Sequence, residues 1–343
     1  MNSHALLLGL TAGLLAACSN PDSRADLAGG ILPPPLALEG TAFEAADNTP
    51  LEVVAPLELP GLRHVYHLSG QIITGAEPAD PEALRHIARL GVQTILSVDG
   101  KIPDVETAEA LGMRYVHVPI QYVGMTDDEL MKIAKTFREL EGPFYVHCFH
   151  GKHRGPAAGA VGRVVLDGVP RDRAIAEMRQ WCTTSSKYEG LYSTVAMTDM
   201  PTPAETAAYE FDFTSQDRPD GVRAAMVSLT RNWDNIKLLH ERDFAVDPEH
   251  PDVDPLQEVT QLYQHLDSMT HLPESNDWNP DYRTWFDESY TASERLMRAL
   301  SETSMADAEG DTPLAADSLA TANAAFGVLS ANCTACHDVY RNN

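Results

Sequence analysis

The sequence predicts two domains: an α/β domain with helices on either side of a central mixed or parallel sheet, and then an all-α four-helix bundle. Between residues 62 and 200, short runs of β-branched and aromatic residues alternate with helical segments, which is typical of a sheet with helical connections. Over residues 219–343 we find four amphipathic segments and no strand pattern, as in a helical bundle. A chain of 343 residues is long enough for two hydrophobic cores.

The chain is strongly acidic. Its 50 aspartates and glutamates outnumber its 25 lysines and arginines, which gives a net charge of -25. Such a surface repels nucleic acid and anionic lipid headgroups, so we expect no nucleic-acid partner. An anionic substrate would need a local site of positive charge.

Residues 1–18 have the features of a secretory signal peptide. The apolar stretch at residues 5–10 is too short for a retained membrane helix. Residues 15–18 read LAAC, which resembles the lipobox of bacterial lipoproteins, whose cysteine becomes the lipidated first residue. We therefore expect export to the periplasmic side of a bacterial membrane, with a lipid anchor on Cys18. The alternative is a plain cleaved signal in which Cys18 is incidental.

Residues 19–61 are rich in Pro, Gly and Ala. The runs Gly29-Gly30 and Pro33-Pro34-Pro35 are typical of a spacer. We predict a tether that holds the first domain away from a membrane. The alternative is an ordered arm that lies on that domain.

The α/β domain, predicted over residues 62–200, begins with a hairpin and continues with alternating helices and strands. One helix carries a capping box, Thr126 with Glu129, and stops before Gly142-Pro143. Ligands of such sheets bind at the carboxyl ends of the strands. Residues 201–218 are predicted to be a linker. The predicted strands are 65–68, 71–74, 92–98, 114–120 and 144–148, and the helices before Cys148 are 81–90, 107–111 and 127–140.

The most informative stretch is the loop after the last of these strands. Cys148 ends the strand, five residues follow, and Arg154 opens a helical segment of small residues. Loop N–H groups, the N-terminal end of the helix and a bidentate arginine can converge on one anion. The same positive field favours Cys148 as a nucleophile. The loop residues are Phe149, His150, Gly151, Lys152 and His153; the basic ones suit an anion or are simply surface residues.

With His147 before the cysteine and Gly151 in the loop, the segment resembles the signature of the dual-specificity, cysteine-dependent phosphatases, His-Cys-x-x-Gly-x-x-Arg. The resemblance spans about residues 64–195. It implies that Cys148 attacks phosphorus to form a phosphocysteine, while Arg154 and the loop amides stabilise the transition state. His147 is a further candidate catalytic residue. The implied substrate is a phosphorylated small molecule or protein.

Two positions depart from the phosphatase pattern. Gly155 stands where the family has a serine or threonine that assists loss of the thiolate. Val123 stands about where the general acid, an aspartate, is expected. Asp127 and Asp128 are the nearest candidates, and Asp99 is another. Acidic residues in the first turn of a helix also complement its dipole. A catalytically silent phosphate-binding module and a different thiol chemistry therefore stay open.

The chain has five cysteines. If one carries lipid and two carry a cofactor, Cys148 and Cys182 remain, which is no disulfide framework. Cys182 is either a partner that protects Cys148 as a disulfide or a small buried hydrophobe.

The last predicted helix ends in a second motif, Cys333-Thr334-Ala335-Cys336-His337. Cys-x-x-Cys-His is the attachment signature of c-type haem: the thiols form thioethers and the histidine is the proximal iron ligand. A zinc site is the alternative, but a second Cys/His pair is not nearby. The motif continues an apolar stripe, with residues three or four apart, that faces the bundle interior: Leu319, Ala322, Phe326, Leu329, Cys333, Cys336 and Tyr340.

Four helices with this motif near the C-terminus resemble the class II cytochromes of the cytochrome c′ and c556 type. The resemblance covers roughly residues 215–343. It implies one covalently attached haem c on Cys333 and Cys336, with His337 on iron and Met226 as a candidate distal ligand. Met226 is alternatively an ordinary core methionine. With Met226 on iron the module would transfer electrons to a redox partner; without it, an open site would bind NO or CO.

Three functions compete at this point. The first is a phosphatase whose activity the haem domain regulates. The second is an electron-transfer or gas-binding haem protein with a silent phosphatase fold. The third is an interaction protein with neither activity.

Overall fold

The computed structural model describes residues 32–218, 220–247, 253–304 and 314–340. The predicted signal peptide and Cys18 lie outside these residues. The strands are β1 (Leu57–Leu59), β2 (Leu62–His67), β3 (Ile72–Ala76), β4 (Thr94–Ser97), β5 (Arg114–His117) and β6 (Phe144–Cys148). The helices are α1 (Ala42–Ala45), α2 (Pro81–Arg89), α3 (Val105–Ala110), α4 (Asp127–Glu139), α5 (Arg154–Val165), α6 (Arg171–Ala176), α7 (Glu189–Met197), α8 (Pro203–Ala208), α9 (Val222–His240), α10 (Pro255–Thr270), α11 (Pro280–Ser304) and α12 (Ala316–Tyr340).

A six-stranded mixed sheet, in the order β1-β2-β3-β6-β4-β5, organises the α/β region. The first three strands pair antiparallel, whereas β3, β6, β4 and β5 run parallel. The register pairs Ala76 with Cys148, and Ser97 with His147. The strands β3, β4 and β6 therefore end at one edge of the sheet, which is where the loop after Cys148 begins.

Helices cover both faces of this sheet. Phe144, Val146 and Cys148 pack into one apolar core with residues of α4, α5 and α7. Tyr145, on the opposite face, packs into a second core with residues of α2. This alternation along β6 follows from the two-residue period of a strand. Because of this alternation, the side chains of Phe144, Val146 and Cys148 are the ones that face α5.

The predicted hairpin and the predicted helix start at Thr126 are confirmed. β2 and β3 pair antiparallel. Thr126 and Glu129 form the reciprocal capping box at the start of α4, which satisfies two otherwise unpaired N–H groups. The small residues of α5 allow a close approach, since a Cβ on Gly162 would lie 2.6 Å from the Phe137 ring.

The predicted tether over residues 19–61 is wrong for the part that the structure describes. Ala42 is buried in the core of the α/β region, and the Glu189 carboxylate accepts its N–H at 2.7 Å. Arg171 donates to the carbonyl of Pro33 at 2.9 Å. The segment is an ordered arm, the alternative interpretation. Its composition indicates an extended chain, but not the surface on which that chain packs.

The linker predicted over residues 201–218 is also wrong. This segment contains α8, whose Thr206 carbonyl accepts a hydrogen bond from Lys135 at 2.8 Å. The N–H of His117, at the end of β5, donates to the carbonyl of Thr214 at 2.8 Å. The segment thus extends the α/β region, because its polar backbone groups find partners there.

The C-terminal region is helical, with α9, α10, α11 and α12 contributing to one apolar core. Its centre includes Ile236, Leu262, Leu296 and Leu329. The arrangement of a class II cytochrome bundle stays a prediction. In the described part of the chain, the helices lack the combination of length and apolarity needed to cross a bilayer.

Candidate active site and cofactor cavity

Cys148 lies at the carboxyl end of β6 and is buried. Two residues outside the following loop donate hydrogen bonds to its carbonyls. The carbonyl of Phe149 accepts the N–H of Glu77 at 3.2 Å, and the carbonyl of Lys152 accepts the Thr184 hydroxyl at 2.6 Å. Because a trans peptide points its N–H opposite to its carbonyl, the following N–H groups turn away from these partners. The N–H groups of His150 and His153 therefore face away from Glu77 and Thr184, as an anion-binding loop requires.

Gly151 makes this loop geometry sterically feasible. Its φ is +71°, which favours glycine. A Cβ at this position would also clash with the backbone of Gly75 and Ala76, at the end of β3. The glycine predicted inside the loop thus lets the loop pack onto the neighbouring strand.

Helix α5 begins at Arg154, directly after the loop. No side chain caps its N-terminus, so its first N–H groups and its positive dipole end suit an anion. Gly155 packs against the nucleophile's own backbone, since a Cβ there would lie 3.1 Å from the amide nitrogen of Cys148. A serine at this position, as in the phosphatase signature, would need a small shift.

Arg154 is fixed without a ligand. Its Nη2 donates to Asp99 Oδ2 at 2.7 Å, and its guanidinium carbon lies 4.4 Å from the centre of the Tyr122 ring. Burial opposes the charge, but Tyr122 and Asp99 outweigh it and raise the pKa of Arg154. Its Nε is buried and has no hydrogen-bond partner. The Arg154 guanidinium is therefore a permanent cation beside the loop, and its Nε–H makes no hydrogen bond.

Asp99 accepts hydrogen bonds from several parts of the site, and its side chain is 1% exposed. Its Oδ2 also accepts the N–H of Phe149 at 3.1 Å, while Oδ1 accepts the N–H of Lys101 at 2.9 Å and the amide of Gln257. Burial raises its pKa, but Arg154 and these N–H donors prevail and hold the pKa below its ordinary value. Both oxygens of Asp99 are therefore engaged as acceptors, and its role as a general acid stays a prediction.

His147 lies on the other face of β6 from Cys148. Its Nε2 is 2.7 Å from the Tyr115 hydroxyl, and its ring contacts Tyr115 and Tyr145. Its side chain therefore lies among these tyrosines, on the face of β6 opposite Cys148. Its catalytic role stays a prediction.

The two histidines of the loop are neutral near pH 7. Burial lowers the pKa of His150 to about 4 and that of His153 to about 3, and neighbouring cations add to the effect. His153 packs against the Tyr188 ring at a centroid distance of 4.6 Å. The basic character expected of this loop is therefore weaker than its composition indicates, and Arg154 and Lys152 supply the positive charge.

The candidate general acids occupy the start of α4. Asp127 is exposed in the first turn. Asp128 pairs with Lys132 at 2.7 Å and accepts a hydrogen bond from Tyr209, so it serves the helix surface. Val123 is 86% exposed in the turn before α4. The acid role of Asp127 stays a prediction.

Cys182 and Cys148 are both free and buried. Burial, the Glu177 carboxylate and Cys148 together raise the pKa of Cys182. Cys182 thus behaves as a small buried hydrophobe in this reduced state, and its role as a disulfide partner stays a prediction.

A second site lies in the helical region. A cavity of about 440 Å³ lies between α9, α10, α11 and α12, within the size range of cofactor sites. Cys333, Cys336 and His337 line it from α12, and Met226 lines it from α9. Its aromatic walls include Trp233, Trp285 and Phe286. The residues of the haem motif therefore share one apolar, aromatic-lined cavity with the predicted distal methionine, and this donor set fits a c-type haem.

Three residues that contribute to the Cys148 site were not predicted from the sequence. Tyr122 stacks on Arg154, Tyr115 binds His147, and Gln257 binds Asp99. The sequence did indicate Asp99 as a site residue, because it follows a strand that ends at the same side of the sheet as Cys148. No local sequence pattern predicts the contacts that Tyr122, Tyr115 and Gln257 make.

Comparison with known proteins relates the N-terminal region to phosphatases. The dual specificity protein phosphatase TpbA of Pseudomonas aeruginosa strain UCBPP-PA14 is 27% identical over 119 residues, which are 34% of this chain and 54% of that protein. TpbA of strain PAO1 is 26% identical over 118 residues, 34% of this chain and 53% of that protein. The chain thus spans about half the length of the curated relatives it matches. No protein-family model matches the chain.

Solved structures of phosphatases align with a somewhat larger share of the chain, 42%. The crystal structure of P. aeruginosa TpbA gives a TM-score of 0.36 at 23% identity, covering 42% of this chain and 89% of that chain. The core catalytic domain of PP-IP phosphatase SIW14 from S. cerevisiae gives 0.34 at 18% identity, covering 42% and 88%. The resemblance of the N-terminal region to dual-specificity phosphatases rests on the sequence match.

The buried His147 generates a prediction about stability. Burial lowers its pKa from 6.5 to about 3, so between these values the unfolded chain binds a proton that the folded chain does not. Folding stability therefore falls as pH falls through this window. Between about pH 6.5 and pH 4.5, the loss of unfolding free energy should be about 2 kcal/mol smaller in His147→Gln than in the wild type, as measured by urea titration.

The matched control for this prediction is His67→Gln in β2, where the side chain is exposed. Because this variant keeps the buried His147, the loss of stability that His147 causes on acidification should remain. Equal pH dependence in His147→Gln and in the wild type would show that His147 is not buried in the neutral form.

Proposed function

We propose that this protein is a cysteine-dependent phosphatase that hydrolyses phosphate monoesters of a phosphorylated small molecule or protein. One observation carries the proposal. Cys148 ends β6 just before the uncapped N-terminus of α5, beside an arginine that Asp99 and Tyr122 already hold in place. Donors fixed before binding stabilise developing charge without reorganisation. The sequence match to TpbA supports the same chemistry.

In the proposed reaction, the sulfur of Cys148 attacks phosphorus and the bond to the leaving oxygen breaks. The Arg154 guanidinium and the N–H groups of the loop bind the non-bridging oxygens, which carry the charge of the transition state. Water then cleaves the sulfur–phosphorus bond and releases inorganic phosphate. Because Gly155 has no hydroxyl to assist loss of the thiolate, we expect this second step to be slow.

Asp127 is proposed as the general acid that protonates the leaving oxygen, although the structure leaves it exposed at the start of α4. With Val123 in the preceding turn, aryl phosphates are the substrates best suited to this site. Their leaving groups are stable as anions and need little protonation.

We further propose that the helical region is a class II c-type cytochrome module. The observation that favours it is the aromatic-lined cavity shared by Cys333, Cys336, His337 and Met226. The two cysteines would hold the porphyrin covalently, and His337 would bind its iron, with Met226 as a distal ligand. When bound, the haem supplies either one-electron transfer to a redox partner or binding of NO or CO. Export and a lipid anchor on Cys18 are proposed from the same motif analysis, since c-type haem is attached outside the cytoplasm.

The nucleophile is tested first. Cys148→Ser should lower kcat for p-nitrophenyl phosphate by more than about a thousandfold, because the hydroxyl is a far weaker nucleophile than the thiolate. Release of p-nitrophenolate is the measurement. Cys182→Ser, which changes the other buried thiol of this region, should keep the activity. Full activity in Cys148→Ser would defeat the mechanism.

The exposed Val123 offers a test of the acid. Val123→Asp should raise the hydrolysis of alkyl phosphates by about tenfold or more relative to p-nitrophenyl phosphate, since only the alkyl leaving group needs a proton. The control Val53→Asp places the same charge at another fully exposed valine. A wild type that is already equally fast with both substrates would show that the acid is present, and Asp127→Asn would then test its identity.

The cofactor has its own test. Protein produced in cells that attach c-type haem should keep its haem absorbance after acid-acetone extraction, because the thioethers are covalent. Cys333→Ser with Cys336→Ser should lose the pigment on extraction, whereas Cys182→Ser should retain it. Extraction of all haem from the wild type would refute covalent attachment.

A further inference from the structure

The loop after β4 is in direct contact with helix α10 of the helical region. Gln264 accepts the N–H of Ile102 at 2.9 Å. A Cβ added to Gly100 would clash with the side chain of Gln261, which shows how closely α10 approaches. The helix therefore packs on the segment of backbone that carries Asp99.

Gln257, in the first turn of α10, reaches Asp99 itself. Its Nε2 donates to Asp99 Oδ1, the oxygen that also accepts the N–H of Lys101. The side chain is 3% exposed, and its Oε1 has no hydrogen-bond partner. Burial of an amide with an unpaired oxygen is unfavourable. The contact with Asp99 is the interaction that compensates for it.

This contact affects the Cys148 site because the other oxygen of Asp99, Oδ2, accepts hydrogen bonds from residues of that site. Oδ2 accepts hydrogen bonds from Arg154 and from the N–H of Phe149. A carboxylate with donors on both oxygens cannot rotate freely about its Cβ–Cγ bond. Loss of the Gln257 donor would leave Oδ1 with the Lys101 N–H, and the orientation of Oδ2 would be less well defined.

The first turns of α10 are anchored in turn by α9. Asn232 donates to Glu258 at 2.9 Å and to Gln261 at 3.2 Å, and it is 6% exposed. Its neighbour Trp233 lines the cofactor cavity. Buried hydrogen bonds therefore connect the wall of that cavity with the turn of α10 that carries Gln257.

We infer that Gln257 is a positioning residue of the Cys148 site. The helical region holds Asp99, and through it Arg154 and the start of the loop after Cys148, in the geometry that binds a phosphate-like oxyanion. The consequence for turnover rests on the proposed phosphatase function, whereas the positioning concerns oxyanion binding alone. By reciprocity, an oxyanion bound at the loop stabilises the docked α10.

The experiment uses the full chain with two leucine variants of the same helix, Gln257→Leu and Gln264→Leu. Both remove one glutamine from the contact between α10 and the loop after β4, but only Gln257 touches Asp99. In Gln257→Leu the dissociation constant for inorganic phosphate, measured by calorimetry, should rise about tenfold, the effect of one hydrogen bond to a charged group. In Gln264→Leu it should change less than about twofold.

A direct measurement of Arg154 accompanies the binding data. Rotation about its Nε–Cζ bond, followed by ¹⁵N NMR, should be slow in the wild type and in Gln264→Leu and faster in Gln257→Leu. If Gln257→Leu does not fold, Gln257→Asn withdraws the amide from Asp99 while it keeps the polar group, and the same changes are expected.

Three results would overturn the inference: unchanged guanidinium rotation in the Gln257 variant, unchanged phosphate affinity in it, or equal losses in both leucine variants. A wild type that binds phosphate but hydrolyses no phosphate ester would refute the phosphatase proposal and leave the positioning role intact. If the wild type binds no measurable phosphate, the rates of rotation about the Arg154 Nε–Cζ bond in the two leucine variants test the positioning role.

Discussion

The buried ion pair between Asp99 and Arg154 is the interaction on which the candidate active site depends. Transfer of a carboxylate and a guanidinium from water costs several kcal/mol per ion unless hydrogen bonds satisfy them. Here each oxygen of Asp99 accepts two hydrogen bonds, and Tyr122 stacks on the guanidinium. Removal of either partner would leave a buried charge, so the pair holds the loop and α5 together before any ligand arrives.

The electrostatics of the site follow from that pair. Loop histidines at positions 150 and 153 are buried beside Arg154, and their pKa values are lowered, so they add no charge near neutral pH. The positive charge is concentrated on a guanidinium whose Nε has no partner. A site of this kind selects an oxyanion by directed donors more than by a diffuse field, which suits a protein whose net charge is -25.

One helix connects the candidate active site with the cavity that the haem motif lines. α10 carries Gln257 toward Asp99, and the neighbouring Glu258 and Gln261 bind Asn232 of α9. That helix also contributes Met226 to the cavity with the haem motif. Buried hydrogen bonds have two discrete arrangements, made or broken, and such elements can couple distant sites. These contacts favour the proposal in which the helical region regulates the candidate active site over two independent modules.

The local features of this protein were determined by the sequence alone. The hairpin, the Thr126 cap, the loop between Cys148 and Arg154, and the spacing of Cys333, Cys336 and His337 depend on residues close together in the chain, where propensity and period act. The tertiary structure decided the rest. Asp99 is 55 residues from Arg154 and 158 from Gln257, and the docked arm and the segment 201–218 depend on surfaces built elsewhere. Their partners are selected by shape and by unsatisfied hydrogen-bonding groups, which no local pattern records.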